Sequence, residues 1–413
     1  MGDCLSLRHG RRAAFIAIIL FLATLVGYLA RMNISVALPF IAEDFGWNQE
    51  QLGELGGVLL GIFLVGYGIS NVFVSPLVDY FGPRRGLLVT IALSSAFTLL
   101  TGAVGFIYAM ILISRILLGL SQGILYPSAS KLTQAWFQPS CRSRVNAIHL
   151  SSGFVSALLA PILLLPLILL TSWEVMFFIV AAVGFVLLIP LWIYIRDSPQ
   201  GDRVFEKPSL SRLISETVRS IREALGIKGI LLLTIAFMTV NFVWWGLSLW
   251  LPTYLEMARG FSIEELVWAA SLPYVGGIAG MIIGAWISDR TGRRILLTTV
   301  FVFMCAVTLF LVSITHGHWQ VILVLGALWF FLGIAPVNVF AILQSMVPKE
   351  LMSSATGIMN GLSNGLGFVG PMIIGTAVAM TGNYDLGLMV MALILLVGAV
   401  MFLTFRRSDD SLS

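Results

Sequence analysis

Long apolar runs, separated by short polar segments, occupy almost the whole chain. A helix needs about 20 apolar residues to cross a hydrocarbon layer roughly 30 Å thick, and twelve of the runs are long enough. They predict twelve membrane-spanning helices, which we number spans 1 to 12. The predicted bounds are residues 13 to 38, 52 to 78, 86 to 105, 108 to 132, 144 to 170, 175 to 195, 228 to 256, 266 to 288, 294 to 315, 320 to 346, 354 to 380 and 385 to 405.

The composition supports this prediction. Hydrophobic residues make up 58% of the chain and charged residues 11%, whereas a soluble domain carries about 25% charged residues. The mean hydropathy is +0.97. Because a helix satisfies its own backbone hydrogen bonds in lipid, we expect an all-α, multi-pass membrane protein, located in a bacterial inner (plasma) membrane.

The basic residues predict the orientation of the chain. If both termini are cytoplasmic, 21 of the 24 Lys and Arg residues fall in cytoplasmic segments, as the positive-inside rule requires. Of the other three, Arg259 falls on the outer side, and Arg31 and Arg115 fall within spans. The net charge of +4 therefore reflects orientation against membrane lipid, and it gives no reason to expect nucleic acid as a partner.

Two loops, after spans 2 and 8, carry the same pattern of Asp, Gly and paired Arg. Their aspartates lie 210 positions apart (289 minus 79), about half the chain, which indicates a duplicated six-helix unit. We predict two halves, residues 1–195 and 228–413, joined by a polar cytoplasmic linker, residues 196–227. In each loop the glycine allows a tight turn, and the charges form a clasp between helix ends that opens and closes. The predicted gating residues are Asp79, Arg84, Arg85, Asp289, Arg293 and Arg294.

These motifs resemble those of a known family. The loop from Gly284 to Arg294 resembles the signature loop of the major facilitator superfamily, Gly-x-x-x-Asp-Arg-x-Gly-Arg-Arg. The segment Tyr28 to Leu38 in span 1 is similar to that of the anion:cation symporter family, which includes sialin, the vesicular glutamate transporters and bacterial galactonate and hexuronate carriers. Trp250 to Leu255 and Asn360 to Pro371 look similar too. The resemblance implies that spans 1, 4, 7 and 10 line a central cavity for a transported anion.

The two arginines within spans are the main candidates for binding that anion. A charge at mid-membrane costs about 2.5 to 3.5 kcal/mol, so such residues usually face a polar cavity. A guanidinium favours a carboxylate that accepts two parallel hydrogen bonds, and we predict that Arg31 is this clamp. The alternative is an Arg31 that extends to the outer interface. For Arg115, whose spacing to Gly119 and Gly123 favours close helix contact, structural, coupling and substrate roles all stay open.

Further polar side chains in the spans complete the predicted cavity. Each can hydrogen-bond a hydroxyl or a carboxylate of the cargo, and each can equally bridge two helices. These substrate-binding candidates are Tyr28, Asn33, Gln122, Tyr126, Asn241, Tyr274, Asn338, Asn360 and Asn364.

The usual machinery for proton coupling is missing. The spans hold no carboxylate that could take up a proton at depth in the membrane. The resembling symporters carry Asp just before the span 1 arginine and Glu seven residues after the span 4 arginine, where this chain has Ala30 and Gln122. His149 in span 5 is the candidate coupling residue because imidazole titrates near neutral pH, although it can also simply bond a neighbour. Anion exchange, facilitated diffusion and protonation elsewhere all stay open.

The sequence does not favour an enzyme. It has no cluster of nucleophile, base and orienting group, and no phosphate loop or metal-ligand spacing, so we expect no cofactor and no metal. It predicts a monomeric secondary active transporter for a small organic anion, a carboxylate or sugar acid, with a proton or a counter-anion as coupling partner. The alternatives are an exchanger or facilitator for phosphorylated or inorganic anions, an exporter of lipophilic compounds, and a non-transporting sensor.

Overall fold

The computed structural model describes residues 10–75, 78–199, 210–348 and 351–409. These residues form α-helices joined by short turns, and none of them lies in a β-strand. The helices are α1 (Gly10–Asp44), α2 (Gln49–Phe73), α3 (Val78–Phe81), α4 (Pro83–Ala103), α5 (Tyr108–Gln122), α6 (Leu125–Trp136), α7 (Pro139–Leu170), α8 (Trp173–Tyr194), α9 (Leu210–Leu225), α10 (Ile230–Arg259), α11 (Ile263–Ala269), α12 (Pro273–Thr291), α13 (Arg294–Ile314), α14 (His318–Met346), α15 (Met352–Gly365), α16 (Val369–Thr381) and α17 (Tyr384–Asp409).

Twelve helical stretches in the described residues are long and apolar enough to cross a membrane, so the predicted count of spans is confirmed. Spans 4, 8 and 11 differ from the prediction because each consists of two helices in succession, α5 and α6, α11 and α12, and α15 and α16. In span 8 the second helix begins at Pro273, which has no amide hydrogen to continue a preceding helix. In span 11 a 3-10 turn, Leu366–Phe368, separates the two helices.

Span 1 is longer than predicted. The prediction ended it at residue 38, before Pro39, but α1 continues through Pro39 to Asp44. Proline is tolerated in a membrane helix because neighbouring groups can satisfy the carbonyl that it leaves free. Arg31 therefore lies more than three turns before the end of the helix, which places it near the middle of span 1.

Consecutive spans run in opposite directions because short turns join them, which gives the bundle two sides. We call the linker side the one that carries Gly10, Tyr194 and Ile230, and the far side the one that carries Asp44 and Arg259. The predicted linker is not wholly irregular, because α9 forms within it and contacts α15. The apolar residues of α9 recur at intervals of three and four, which is the pattern of an amphipathic helix and was overlooked among the charges.

Spans 2 and 11, which belong to different predicted halves, pack backbone against backbone. On the far side, a Cβ at Gly53 would meet the carbonyl of Gly375 and approach the amide of Ala379 to 2.6 Å. Toward the linker side, Gly68 lies against Gly365. Small residues allow this close approach of helices in lipid. The division into two halves stays a prediction. These glycines form a contact between the two predicted halves.

The two gating loops have the turns that the repeat predicts. Gly82 and Gly292 have φ values of 85° and 67°, in the left-handed region that glycine adopts without strain. The side chains of Asp79 and Asp289 lie outside the described residues, so the clasp stays a prediction.

The arginines of these loops have different surroundings. Arg84 donates from Nη2 to the carbonyl of Trp192 at 2.9 Å, and its backbone amide donates to Asp197 Oδ1 at 2.9 Å. Arg85 and Arg293 are exposed, and Arg294 is half-buried at the start of α13. Asp197 was not predicted to take part in this loop.

Candidate functional site

Arg31 lies in the middle of span 1 and is only 1% exposed. Its Nε donates to Oε1 of Gln122 at 2.5 Å. Both of its Nη atoms are buried, and neither has a hydrogen-bond partner among the described residues. A guanidinium stays charged in a protein and has five N–H donors. Arg31 is therefore a buried cation with the end of its fork unbonded, and the alternative of an arginine extended to the interface is wrong.

Four aromatic rings surround this guanidinium, and we call them the arginine cage. Its Cζ lies 4.4 Å from the ring centre of Tyr28, 4.5 Å from that of Tyr67, 5.3 Å from that of Phe63 and 6.0 Å from that of Tyr126. A desolvated cation over an aromatic face gains about 2 kcal/mol. The cage thus stabilises the charge of Arg31 without using any of its N–H donors.

Gln122 fixes the orientation of the guanidinium. It is fully buried, and its Nε2 donates to the carbonyl of Gly27 at 3.0 Å while Oε1 accepts from Arg31. These two bonds distinguish the nitrogen of the Gln122 amide, which donates, from its oxygen, which accepts. Because Nε of Arg31 is occupied, a carboxylate can bind it in the two-pronged manner only through the two Nη groups.

Arg115 uses its donors on span 1. Nη1 donates to the carbonyl of Ala30 at 3.0 Å and to Oδ1 of Asn33 at 3.2 Å, and Nη2 donates to the carbonyl of Arg31 at 3.0 Å. The side chain of Arg115 is fully buried. These contacts hold the backbone that carries Arg31, so the geometry favours the structural role among those left open by the sequence.

The glycines of span 4 make the expected close helix contact. Gly119 lies against the carbonyl of Phe63, and Gly123 lies against Ser70. This approach brings span 2, with Phe63 and Tyr67, onto Arg31. Neither aromatic residue is among the predicted candidates. Their spacing of one helical turn places them on one face of span 2, but it does not indicate what that face contacts.

A chain of amide groups continues from the cage into spans 7, 11 and 2. The ring of Trp245 stacks on Tyr28, with centres 6.5 Å apart, and its Nε1 donates to Oδ1 of Asn364 at 2.8 Å. Asn364 donates to Oδ1 of Asn360 at 2.9 Å, and Asn360 donates to Oδ1 of Asn71 at 3.1 Å. Two predicted residues are thus joined to the cage, and Trp245 and Asn71 are members that the prediction lacked.

His149 lies at the edge of the cage. Its ring centre is 6.0 Å from that of Tyr126, and its Nε2 is 2.9 Å from Oδ1 of Asn146, one turn back in span 5. The hydroxyl of Tyr126 lies 3.4 Å from that of Ser152. His149 therefore bonds a neighbour, as the alternative reading expected, and its coupling role stays a prediction.

Three predicted residues are not joined to Arg31 by any contact in the described part of the chain. Asn241 donates to the carbonyl of Phe237 in its own helix at 3.4 Å. Tyr274 packs on Trp329, with ring centres 4.6 Å apart. Asn338 is fully buried, and neither polar atom of its amide has a partner among the described residues. Their roles in binding stay predictions.

Burial around Arg31 is unequal on its two sides. On the far side of Arg31, residues 32 to 38 of span 1 are buried without exception, and so are residues 245 to 255 of span 7. On the linker side, Tyr28 and Tyr126 of the cage are half-buried. The described residues are thus closely packed on the far side, and the partly exposed members of the cage lie toward the linker side.

A comparison with known families decides the class of protein. The profile of the Major Facilitator Superfamily matches residues 20–371. The chain belongs to the Major Facilitator Superfamily. As a member of this superfamily it is a transporter and not an enzyme, and it is a multi-pass integral membrane protein.

Individual relatives cover almost the whole chain of this superfamily member. The hexuronate transporter of Bacillus subtilis is 26% identical over 384 residues, which are 90% of this chain and 89% of the relative. The probable sulfoacetate transporter of Cupriavidus necator is 26% identical over 390 residues, 91% and 89% of the two chains. A crystal structure of a bacterial homologue of the human lysosomal transporter Spinster, inward-facing and unoccupied, superposes with a TM-score of 0.72 at 17% identity, covering 95% of this chain and 96% of that one. This last likeness supports the fold.

Proposed function

We propose that this protein is a secondary active transporter that carries a small organic anion, a carboxylate or sugar acid, by alternating access. The observation that carries the proposal is Arg31, a buried cation whose two Nη groups have no partner among the described residues. The relatives support an anionic cargo, because hexuronate and sulfoacetate each contain a carboxylate.

The cargo carboxylate accepts hydrogen bonds from both Nη groups of Arg31. A hydrogen bond to a charged group contributes about 1.5 to 3 kcal/mol, and the surrounding rings exclude the water that would weaken it. The hydroxyls of Tyr28 and Tyr126, both half-buried, bind the remaining polar groups of the cargo. Arg115 and Gln122 set the position of Arg31.

The linker side and both termini face the cytoplasm of a bacterial inner membrane, because that orientation puts 21 of the 24 basic residues on the inside. The described conformation, closed on the far side, is then inward-facing.

Transport follows from rocking of the two halves, residues 1–195 and 228–413, about the arginine cage, with the loops at Asp79 and Asp289 as gates. The protein acts as a monomer.

The test is uptake by purified protein in proteoliposomes, with labelled D-glucuronate, D-galactonate and sulfoacetate as probes. We expect Arg31→Ala to abolish uptake of the probe that the wild type transports. Arg31→Lys keeps the charge and loses the planar fork, so its uptake is expected to fall at least about tenfold, the factor that corresponds to one charge-assisted hydrogen bond.

Arg219→Ala is the matched control, because this arginine lies on α9 with a side chain 73% exposed, and its uptake is expected to equal that of the wild type. Size-exclusion chromatography and circular dichroism establish that each variant is folded. Wild-type uptake by a folded Arg31→Ala variant would refute the clamp.

A further inference from the structure

Negative charge is confined to the ends of the spans. Every one of the 20 Asp and Glu residues lies outside the spans or within six residues of the end of one. Arg31 and Arg115, in contrast, are fully or almost fully buried in the interior. The two are neighbours, since Arg115 Nη2 bonds the Arg31 carbonyl at 3.0 Å. The interior therefore holds two adjacent cations, and neither forms an ion pair with a described carboxylate.

The groups around these cations do not remove their charge. A guanidinium does not lose its proton in a protein. The titratable groups at the cage are the phenols of Tyr28, Tyr67 and Tyr126 and, at its edge, the imidazole of His149. A neutral phenol does not accept a proton, and a proton on the His149 imidazole would add positive charge to a site that already holds two cations.

Gln122 occupies the position next to Arg31 where a neutralising carboxylate could lie. Its Oε1 accepts from Arg31 Nε at 2.5 Å, the place where a carboxylate would neutralise the guanidinium. An amide neither titrates nor carries charge. Among the described residues, the site thus has no anion of its own with which a proton could compete.

Alternating access requires that the site be closed on both sides for part of the cycle. An ion removed from water without a partner costs several kcal/mol. A bound anion brings a negative charge and two acceptors for the Nη groups of Arg31, so the loaded protein passes through the closed state more readily than the unloaded one.

We infer that the protein is an anion exchanger, in which the return step also requires a bound anion and the coupling partner is a second organic anion. The inference rests on the proposed function, because it assumes that Arg31 binds the cargo. It selects exchange over proton coupling and facilitated diffusion.

The test is counterflow in proteoliposomes buffered with Tris chloride. Uptake of labelled D-glucuronate is compared between vesicles preloaded with unlabelled D-glucuronate and vesicles preloaded with D-glucose, and sulfoacetate and D-galactonate are tested in the same way. We expect initial uptake to be at least about tenfold faster with the internal anion, the factor for one charge-assisted hydrogen bond. An acidic external medium is expected to drive no uptake into the vesicles that contain glucose.

A variant tests the cause. Gln122→Glu supplies a fixed carboxylate to Arg31, which speeds the return of the unloaded protein. The ratio of initial uptake into anion-loaded vesicles to initial uptake into glucose-loaded vesicles is therefore expected to fall at least about threefold. Gln320→Glu, which adds a carboxylate at an exposed position of span 10, is the matched control and is expected to keep the full difference.

The outcomes separate the inference from the proposed function. Equal uptake into both kinds of vesicle, or uptake into glucose vesicles driven by external acid, would overturn exchange and leave anion transport standing. Failure of folded protein to take up any of the three probes under any of these conditions would refute both. An unchanged preference for internal anion in Gln122→Glu would refute the assigned electrostatic cause.

Discussion

Arg31 is positioned by a neutral amide, and this arrangement has consequences that a single substitution can measure. Gln122→Leu removes the acceptor of Arg31 Nε and the donor to the Gly27 carbonyl. The guanidinium can then turn and use its Nη groups on nearby carbonyls, so fewer donors face the cargo. We expect the affinity for D-glucuronate to fall about tenfold, equivalent to about 1.4 kcal/mol, in isothermal titration calorimetry.

The control for this prediction is Gln320→Leu, an exposed glutamine at the far end of span 10, which is expected to leave the affinity unchanged. Folding of both variants is checked by their thermal unfolding. If Gln122→Leu binds D-glucuronate as tightly as the wild type, Gln122 does not position Arg31.

The candidate residues differ in how visible they are in the sequence. Arg31 and Gln122 could be found because a charge or an amide inside an apolar run is costly and therefore informative. Phe63 and Tyr67 could not, because an aromatic residue in a span packs equally well against lipid, another helix or a cation. The role of Arg115 depends on where the carbonyls of Ala30 and Arg31 lie, and no sequence pattern gives that position.

Among the helices, the contact between spans 2 and 11 predicts a sharp difference between two glycines. A Cβ at Gly375 would meet the carbonyl of Gly53 and approach Gly57 Cα to 3.1 Å, whereas a Cβ at Gly326 in span 10 would have no atom within 4 Å. Overpacking of this kind costs about 1 to 3 kcal/mol. We therefore expect Gly375→Ala to destabilise the conformation that is closed on the far side. Gly326→Ala is expected to leave the stability of that conformation unchanged.

The measurement is the labelling rate of a cysteine placed at Ser248, which is 2% exposed on the far-side part of span 7. A membrane-impermeant thiol reagent added from the far side is expected to react at least about fivefold faster in the Gly375→Ala background. Equal rates in the two alanine backgrounds would show that this glycine contact does not hold the far side closed.

The helices themselves could be predicted in number more reliably than in form. Hydropathy averages over about 20 residues, so it gave twelve spans but did not detect the interruptions at Gly123, Pro273 and Gly367. It also ended span 1 before Pro39, although a proline that would break a helix in a soluble protein is tolerated where neighbouring helices satisfy the freed backbone groups. In α9 the many charged residues obscured the regular spacing of apolar residues that is typical of an amphipathic helix.

For the molecule as a whole, the sequence predicts the duplicated loops but not the conformation. A transporter must adopt both the inward- and outward-facing arrangements with one sequence, so the pattern of residues cannot select one of them. The structure adds that spans 1 and 7 meet on the far side, where Ser35 Oγ donates to the carbonyl of Ser248 at 3.2 Å. Both serines are buried and line a small cavity with Tyr274 and Met32.

This contact lets the rocking of the two halves be tested directly. Cysteines at Ser35 and Ser248, in a protein whose own cysteines are replaced by serine or alanine, lie close enough for a short bifunctional thiol reagent with a disulfide in its linker to join them. If transport needs the far side to open, the cross-link is expected to abolish uptake of D-glucuronate, and a reductant is expected to restore it. Each single-cysteine variant should transport before and after treatment with the reagent. Because the cross-link holds the described conformation, D-glucuronate should still bind from the linker side with unchanged affinity. Continued transport by fully cross-linked protein, verified by mass spectrometry, would mean that spans 1 and 7 need not separate, and the rocking mechanism would then be wrong.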